Sequence, residues 1–421
     1  MLPFLEIIQN MYLVLRDYWW LFAPAFLLII FETVWMNYIM AKAAREMKWL
    51  LLEIKVQAGI EKGPQIFEHI LTGLYAVRGG AIDTDFDIYL KGVVESYFSL
   101  ELAGIDGRFY FFMYVPEKMK DLAEAQIYAQ YPQAEIKEAE DYAKVGPTDF
   151  PDKNWDIWGA EMILDKEDAY PVRTYNQFQE KITSELIDPI AAFIEEFGKH
   201  NPGEQTWFQV LIRPVDDYWK KDAAEIVAKL IGKKIKKKTT FFTGAKKDLS
   251  DIILNLRFAP FEALEYKKEE LPNLPESLML FLSPGEKEVV EAIEKNVAKV
   301  GFETMIRWFY IGRKKVFNKA KGFFSVMGPL HQFTSQNLNM FAVDGRTKTS
   351  AYYVITEMRK NIRKRLLVNR YRRRDFYQRG FVLNLEELAT LYHFPTIGVE
   401  APQTPRVQAR KSESPRELPI G

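Results

Sequence analysis

The stretch SYFSLELAGIDGRFYFFMYV, residues 96–115, decides the fold. Phe98, Leu100 and Leu102 alternate with Ser99 and Glu101, the period-two pattern of a strand with one apolar face. FYFFMYV, residues 109–115, is its partner across the turn from Gly104 to Gly107, where Asp106-Gly107 supplies a pair that accepts positive φ. Pro116 then opens a helical run with Met119, Leu122, Ala123 and Ile127 on one face, and AEIKEAE returns as a strand. The β-β-α-β order predicts a ferredoxin-like or related split sheet with helices on one side.

Downstream the same alternation of element types continues. WDIWGAEMIL (155–164), QTWFQVLIRP (205–214) and FETMIRWFYIG (302–312) read as strands. SELIDPIAAFIEEFG (184–198) and DDYWKKDAAEIVAKLIG (216–232) read as helices, and Ser283-Pro284-Gly285-Glu286 opens a capped helix carrying Val289, Ile293 and Val297. Two helix-Gly-strand units, 184–213 and 285–312, form a faint internal echo, and the charged, Pro-containing stretch 233–282 between them is expected to be a mobile insertion. Near the C-terminus, Leu385, Leu388 and Leu391 at spacing three predict a short docking helix, which makes His393 part of a structural closure.

Upstream, YWWLFAPAFLLIIFETVWMNYIMA (18–41) carries one charge, Glu32. It amounts to roughly 36 Å of helix, enough to cross a hydrocarbon core with some tilt. Tyr18, Trp19, Trp20, Trp35 and Tyr38 sit where interfacial aromatics are expected, and the preceding Glu6, Arg16 and Asp17 do not make the basic start of a cleaved signal. Lys42, Arg45 and Lys48 follow the stretch and only Arg16 precedes it, which predicts a short outer N-terminus and a cytoplasmic bulk. AKAAREMKWLLLEIKVQ continues as a helix-like run, with a membrane-surface helix as the competing reading. A second apolar stripe follows at Ile66, Phe67, Ile70, Leu71 and Leu74.

The resulting expectation is an α+β chain: an N-terminal transmembrane helix followed by ferredoxin-like or split β-α-β modules in the cytoplasm. Its segments are an amphipathic start (1–17), the span (18–41), a helical connector (42–84), a first α+β module (85–150), a second (151–395) and a disordered Pro-rich tail (396–421).

Lys plus Arg and Asp plus Glu both number 57, so whole-molecule charge points to no polyanion, and only local charge can. Cysteine is absent, which removes disulfides, thiolate metal sites and Cys nucleophiles together. His69, His200, His331 and His393 are scattered singly, and IDTDFDI, with Asp83, Asp85 and Asp87, has Ile88 and Val94 where a calcium loop needs Gly and Glu. No GxxxxGK[ST], GxSxG or HExxH occurs, so no catalytic residue, cofactor or metal is expected.

Two basic stretches remain. KKIKKK (233–238) is a short cluster, and MRKNIRKRLLVNRYRRRD (358–375) carries Arg359, Lys360, Arg363, Lys364, Arg365, Arg370, Arg372, Arg373 and Arg374. Ile355, Met358, Ile362, Leu366 and Tyr371 line one side of the latter, a helix over about 350–375 with an apolar stripe and a cationic remainder. Such a helix can neutralise nucleic-acid phosphates, lie on anionic lipid, or be a solvated face paired with acids elsewhere. Arg363, Arg365, Arg372, Arg373 and Arg374 are the candidate DNA contacts.

FSLELAGIDGRFYFFMYVPEKMKDLAEAQIYAQYPQAEIKEAEDY, NPGEQTWFQVLIRP, SPGEKEVVEAIEKNVAKVGF and FVLNLEELATLYHFP resemble the N-terminal region of membrane-anchored relatives of type IV secretion or conjugation-type ATPases from candidate-phyla bacteria. The resemblance covers most of residues 85–421. In longer relatives a Pro-rich linker precedes a motor domain with a phosphate-binding loop; this sequence stops at Gly421 without one, so ATPase activity is not carried over. The resemblance implies a non-enzymatic, membrane-attached component of a DNA or protein transfer machine, with a separate motor ATPase as partner. Nucleic acid and further copies of the chain are additional candidate partners. The rival expectation is a membrane-surface scaffold unrelated to DNA transfer that binds anionic lipid through the basic helix.

Overall fold

In the computed structural model, which describes residues 2–56, 63–79, 89–90, 92, 96–178, 188–232, 282–374 and 376–396, the Asp106-Gly107 hairpin lies inside one large antiparallel sheet. Its nine described strands are β1 (Trp49–Lys55), β2 (Phe98–Ile105), β3 (Arg108–Pro116), β4 (Glu135–Glu138), β5 (Trp155–Leu164), β6 (Glu204–Pro214), β7 (Gly301–Arg313), β8 (Phe341–Val343) and β9 (Phe381–Asn384). Their order is β4-β1-β3-β2-β6-β7-β5-β8, with β9 against the first residues of β7. The described helices are α1 (Leu2–Glu46), α2 (Gln65–Tyr75), α3 (Lys120–Gln130), α4 (Ala191–Gly198), α5 (Tyr218–Leu230), α6 (Pro284–Ala298), α7 (Lys319–His331), α8 (Thr356–Arg373) and α9 (Leu385–Leu391). The α+β expectation holds.

This order contains the same unit twice. β1 to β4, with α2 between β1 and β2 and α3 between β3 and β4, take the arrangement 4-1-3-2 of a split β-α-β unit. β5 to β8, with α4 between β5 and β6 and α7 between β7 and β8, take it again. The halves join through β2 and β6, antiparallel from Phe98↔Ile212 to Ile105↔Gln205. Each strand thereby covers an edge that would otherwise expose unpaired backbone groups. The modules expected at 85–150 and 151–395 therefore contribute to a single sheet, and the repetition spans 49–138 and 155–343 rather than the helix-Gly-strand segments.

The β2–β3 turn is tight because Asp106 (φ 51°) and Gly107 (φ 80°) both take positive φ, the requirement of a two-residue hairpin. In the second half the β6–β7 connection instead holds α5, α6 and residues 233–281, so the expected insertion, KKIKKK included, lies outside the described residues but for Leu282. Asp83, Asp85, Asp87 and residues 397–421 lie outside them as well.

The helix-like run after the apolar stretch is corrected by the structure. α1 ends at Glu46, and Trp49–Lys55 is β1, paired with β3 on one side and β4 on the other. Leu52 and Ile54 enter the core under α2, while Leu51 enters the core on the opposite face. A strand buried on both sides loses the alternation that marks strands in sequence, which is why Leu50-Leu51-Leu52 reads as helix. α1 runs without a break from Leu2 through the expected amphipathic start and the apolar stretch, with Pro24 inside it. Its segment Phe26–Glu46 is long and apolar enough to cross a membrane, with mean hydropathy 1.4 and 6% of it buried.

The main core lies between one face of the sheet and helices of both halves, where Phe67, Leu71, Ile127, Phe193, Phe197 and Leu330 meet Leu100, Leu102, Phe208, Val210, Ile306 and Trp308. The C-terminal segment closes it. α9 is capped by Asn384, whose side chain accepts from the Glu387 amide, and buries Leu385, Leu388 and Leu391. Tyr392 and Phe394 then pack on Phe67 and Phe111 of the first half. Burial pushes the Glu387 carboxyl up to about 8, against the pull of the Asn384 and Val172 amides that it accepts from. His393, fully buried, bonds Asp188 through Nε2 at 2.7 Å, and its Nδ1 lies 2.9 Å from the Ala389 carbonyl.

His200 gives this core a pH dependence. Burial, with a smaller effect from Lys321, lowers its pKa to about 4, and its Nε2 shares a 2.6 Å bond with Thr206. The unfolded chain takes up this proton near pH 6.5 and the folded chain only near 4, so its share of stability is complete above 6.5 and is lost as pH falls towards 4. By pH 5 the loss amounts to about 2 kcal/mol. Melting temperatures of the native chain and His200→Gln, compared at pH 7 and pH 5, should show the smaller drop in the variant.

Candidate functional site

The basic helix is α8, lying on the second face of the sheet between two left-handed residues, Ile355 (φ 53°) and Arg374 (φ 52°). Ser99 and Glu101, the polar side of the first strand in sequence, are therefore fully buried beneath it. Only Leu367, Val368 and Tyr371 of the helix are buried apolar residues, against Leu51, Ala103, Phe112, Trp207 and Phe309 of the strands. The rest of its inner contact is made by charged side chains, to acids and to backbone carbonyls.

Glu101, Gln209, Arg307 and Glu161 stand opposite one another on β2, β6, β7 and β5, one row across four strands. Arg374 donates to Glu101 at 2.7 and 3.0 Å and to Asp141 at 2.8 and 2.9 Å. Gln209 donates to Glu101 at 2.9 Å and accepts from Arg307 at 3.3 Å. Arg307 donates to Glu161 at 2.8 Å and to the Arg370 carbonyl at 3.0 Å. Burial works to raise the Asp141 pKa, yet the hydrogen bonds and charge of Arg374 hold it below the usual carboxylate range. Burial raises Tyr142 and Tyr371, which share a 2.7 Å hydroxyl contact beside Glu101.

The nine expected contact residues do not form one cationic surface. Arg374 is fully buried and out of reach of nucleic acid or lipid. Arg372 donates to the Ala143 and Gly146 carbonyls, Arg365 to Phe150, and Lys364 to Asp156 at 2.5 Å. Arg363 donates to the Ser350 and Lys348 carbonyls at 2.6 and 3.0 Å, Arg359 to that of Tyr352, and Lys360 to Glu357. Arg370 stacks 3.6 Å from the centre of the Tyr377 ring, whose hydroxyl donates to Glu161. Arg373 is exposed. The five candidate DNA contacts are thus split between a buried ionic group, carbonyl clamps and one exposed residue, because the strands beneath demand cations.

The apolar stripe is likewise turned over. Tyr371 is buried, but Ile355, Met358, Ile362 and Leu366 are exposed at 64, 61, 41 and 46%, continuous with Tyr353 and Val354 at 90 and 74%. A pocket of about 170 Å³ beside them is lined by Arg346, Arg363, Arg370, Thr347, Asp344 and Leu366. Arg346, which the sequence reading did not single out, pairs with Asp344 at 3.0 Å and keeps an exposed side chain. A larger groove, about 510 Å³, runs between α6 and the C-terminal closure and is lined by Thr174, Asn176, Glu288, Ala292 and Glu386 among others. Among the described residues no three acids or histidines are grouped to hold a metal ion.

Fold and site together define a two-half α+β platform attached to an apolar N-terminal helix. Residues 64–406 match a domain of unknown function, DUF8128, and the chain belongs to that family. The match takes in α2 to α9, leaving α1 and β1 before it. No curated protein matches the chain.

Arg374→Met should cost about 3–5 kcal/mol, because Glu101 and Asp141 would stay buried without their partner. Adding Glu101→Met should recover part of that loss. Urea unfolding of the detergent-solubilised chain, followed by tryptophan fluorescence, measures both.

Proposed function

We propose that this chain is a non-enzymatic, single-pass inner-membrane component of a type IV secretion or conjugation-like transfer system that seats a separate motor ATPase at the membrane. The observation that carries the reading is the join between helix and sheet. Met47 and Lys48 alone separate α1 from β1, and Trp49 stacks on Tyr114 at 5.0 Å, so the platform has almost no slack relative to the apolar helix. A flexible tether would let a bound motor wander; a two-residue join holds it at a set height. The likeness of the quoted segments to regions preceding motor domains supports the motor as partner.

In this reading the bulk of the chain is cytoplasmic, the start of α1 lies outside, and the groove between α6 and the C-terminal closure receives the motor. The groove suits a protein ligand because it mixes Val172, Val289 and Leu338 with Glu288, Glu291 and Lys295. The basic helix contributes little to nucleic-acid binding, since Lys364, Arg372 and Arg374 already hold the sheet or its loops and its exposed side carries the aliphatic Met358, Ile362 and Leu366.

Absence of native cysteine makes topology directly measurable. In intact cells a membrane-impermeant maleimide should label Gln9→Cys and spare Lys315→Cys until the membrane is opened; the reverse pattern overturns the orientation. A photo-crosslinker at Glu288 should yield an adduct with a chain carrying GxxxxGK[ST], identified by mass spectrometry. Adducts that never contain such a chain, from Glu288 and from Ala292, overturn the motor-seating role.

A further inference from the structure

We infer that the outer side of α8 is a binding site for anionic phospholipid, with the lipid phosphate in the arginine-lined pocket and the exposed aliphatic row at the boundary between headgroups and acyl chains. The inference does not depend on a motor docking elsewhere.

Charge is the first ground. The pocket is lined by Arg346, Arg363 and Arg370 against Asp344, three cations to one anion, and the neighbouring buried Arg307–Glu161 pair adds no net charge. Arg363 is held by two carbonyls, which leave its charge uncompensated, and Arg370 is positioned by the Tyr377 ring and, at 3.6 Å, by Glu161, which it shares with Arg307. The Thr347 hydroxyl, which donates to the Asp344 carbonyl, lines the same pocket as a further polar group. Fixed guanidinium groups of this kind suit phosphate oxygens.

Surface chemistry is the second ground. Leu366 lines the pocket and continues into Ile362, Met358 and Ile355, all exposed, with Tyr353 beyond. A nucleic acid offers phosphates but nothing to cover aliphatic side chains. An anionic bilayer offers both, and aliphatic rows flanked by Arg and Tyr are the pattern of interfacial helices.

Position is the third ground. Trp49, three residues past α1, contacts the Tyr97 ring at 4.5 Å, and Tyr97 contacts Phe376 at 5.5 Å. Tyr377, next in sequence, carries Arg370 on its ring. The pocket therefore opens on the flank of α8 that faces the exit of α1, whereas Lys364 and Arg365 face Asp156 and Phe150 on the other flank. A bilayer crossed by α1 lies on the pocket side.

The test uses the full chain in lipid nanodiscs with an environment-sensitive dye on Met358→Cys, an exposed position. With phosphatidylglycerol present, the dye should shift to the blue and be quenched by brominated acyl chains; in pure phosphatidylcholine it should do neither. Arg346→Gln should lower the ratio of contacting to free platform about fivefold. Equal quenching in both lipids would overturn the phosphate assignment. A blue shift that grows with protein concentration in detergent alone would assign the face to chain–chain contact and overturn the proposal. So would protection by duplex oligonucleotide or inorganic phosphate without any lipid effect.

Discussion

A buried ionic row holds this molecule together. Arg374, Glu101, Gln209, Arg307 and Glu161 cross β2, β6, β7 and β5 at one level, with Asp141 closing one end. It spans the junction of the two halves, so α8 acts as a staple on the second sheet face while α9, Tyr392 and Phe394 tie the halves from the first. Burying four fully enclosed polar or charged side chains is favourable only because each finds a partner in register. The row thereby sets which helix lies there and in which orientation. A helix of ordinary apolar character, ending without Arg374, would leave Glu101 without its cationic partner.

Local structure was largely legible from the sequence where elements have one buried face. The Asp106-Gly107 hairpin, the strands at 155–164, 205–214 and 302–312, the Ser283 cap and the α9 leucines carry their own periodicity or turn chemistry, and the structure has each of them. What could not be read is what depends on a second covering layer. β1 is buried on both faces, so its leucines do not alternate, and Glu101 looks solvent-facing until α8 is placed over it. Pairing of β2 with β6 joins residues about a hundred positions apart, a contact that neither strand's pattern encodes.

The site was legible in location but not in sense. Eight cations in one helix and a ninth at its C-cap mark it as chemically unusual, yet which way it faces depends on strands elsewhere in the chain. The available signal lay in those strands: Glu101, Glu161 and Arg307 each sit inside an apolar run, where a lone charge implies a partner arriving from another element. Counting them predicts that some arginines of α8 turn inward. The helix then has to turn Ile355, Met358, Ile362 and Leu366 outward, because the angular room on its inner side is taken.

The two-fold relation of the halves also explains where the extra chain goes. β2 and β6 are antiparallel, so equivalent connections open at opposite ends of the sheet. The tight β2–β3 turn lies at the end away from Trp49, as the pairing of Trp49 with Pro116 requires. Its counterpart between β6 and β7 opens at the Pro214↔Phe302 end, which is the end where α1 enters. Two residues suffice to close such a connection in the first half, so α5, α6 and their groove are not needed to complete the second half of the sheet. They add surface at the end nearest the apolar helix, the end towards which the arginine pocket of α8 also opens. Both features that exceed the needs of the fold thus share one end of the sheet, and that is the end at which the apolar helix joins it.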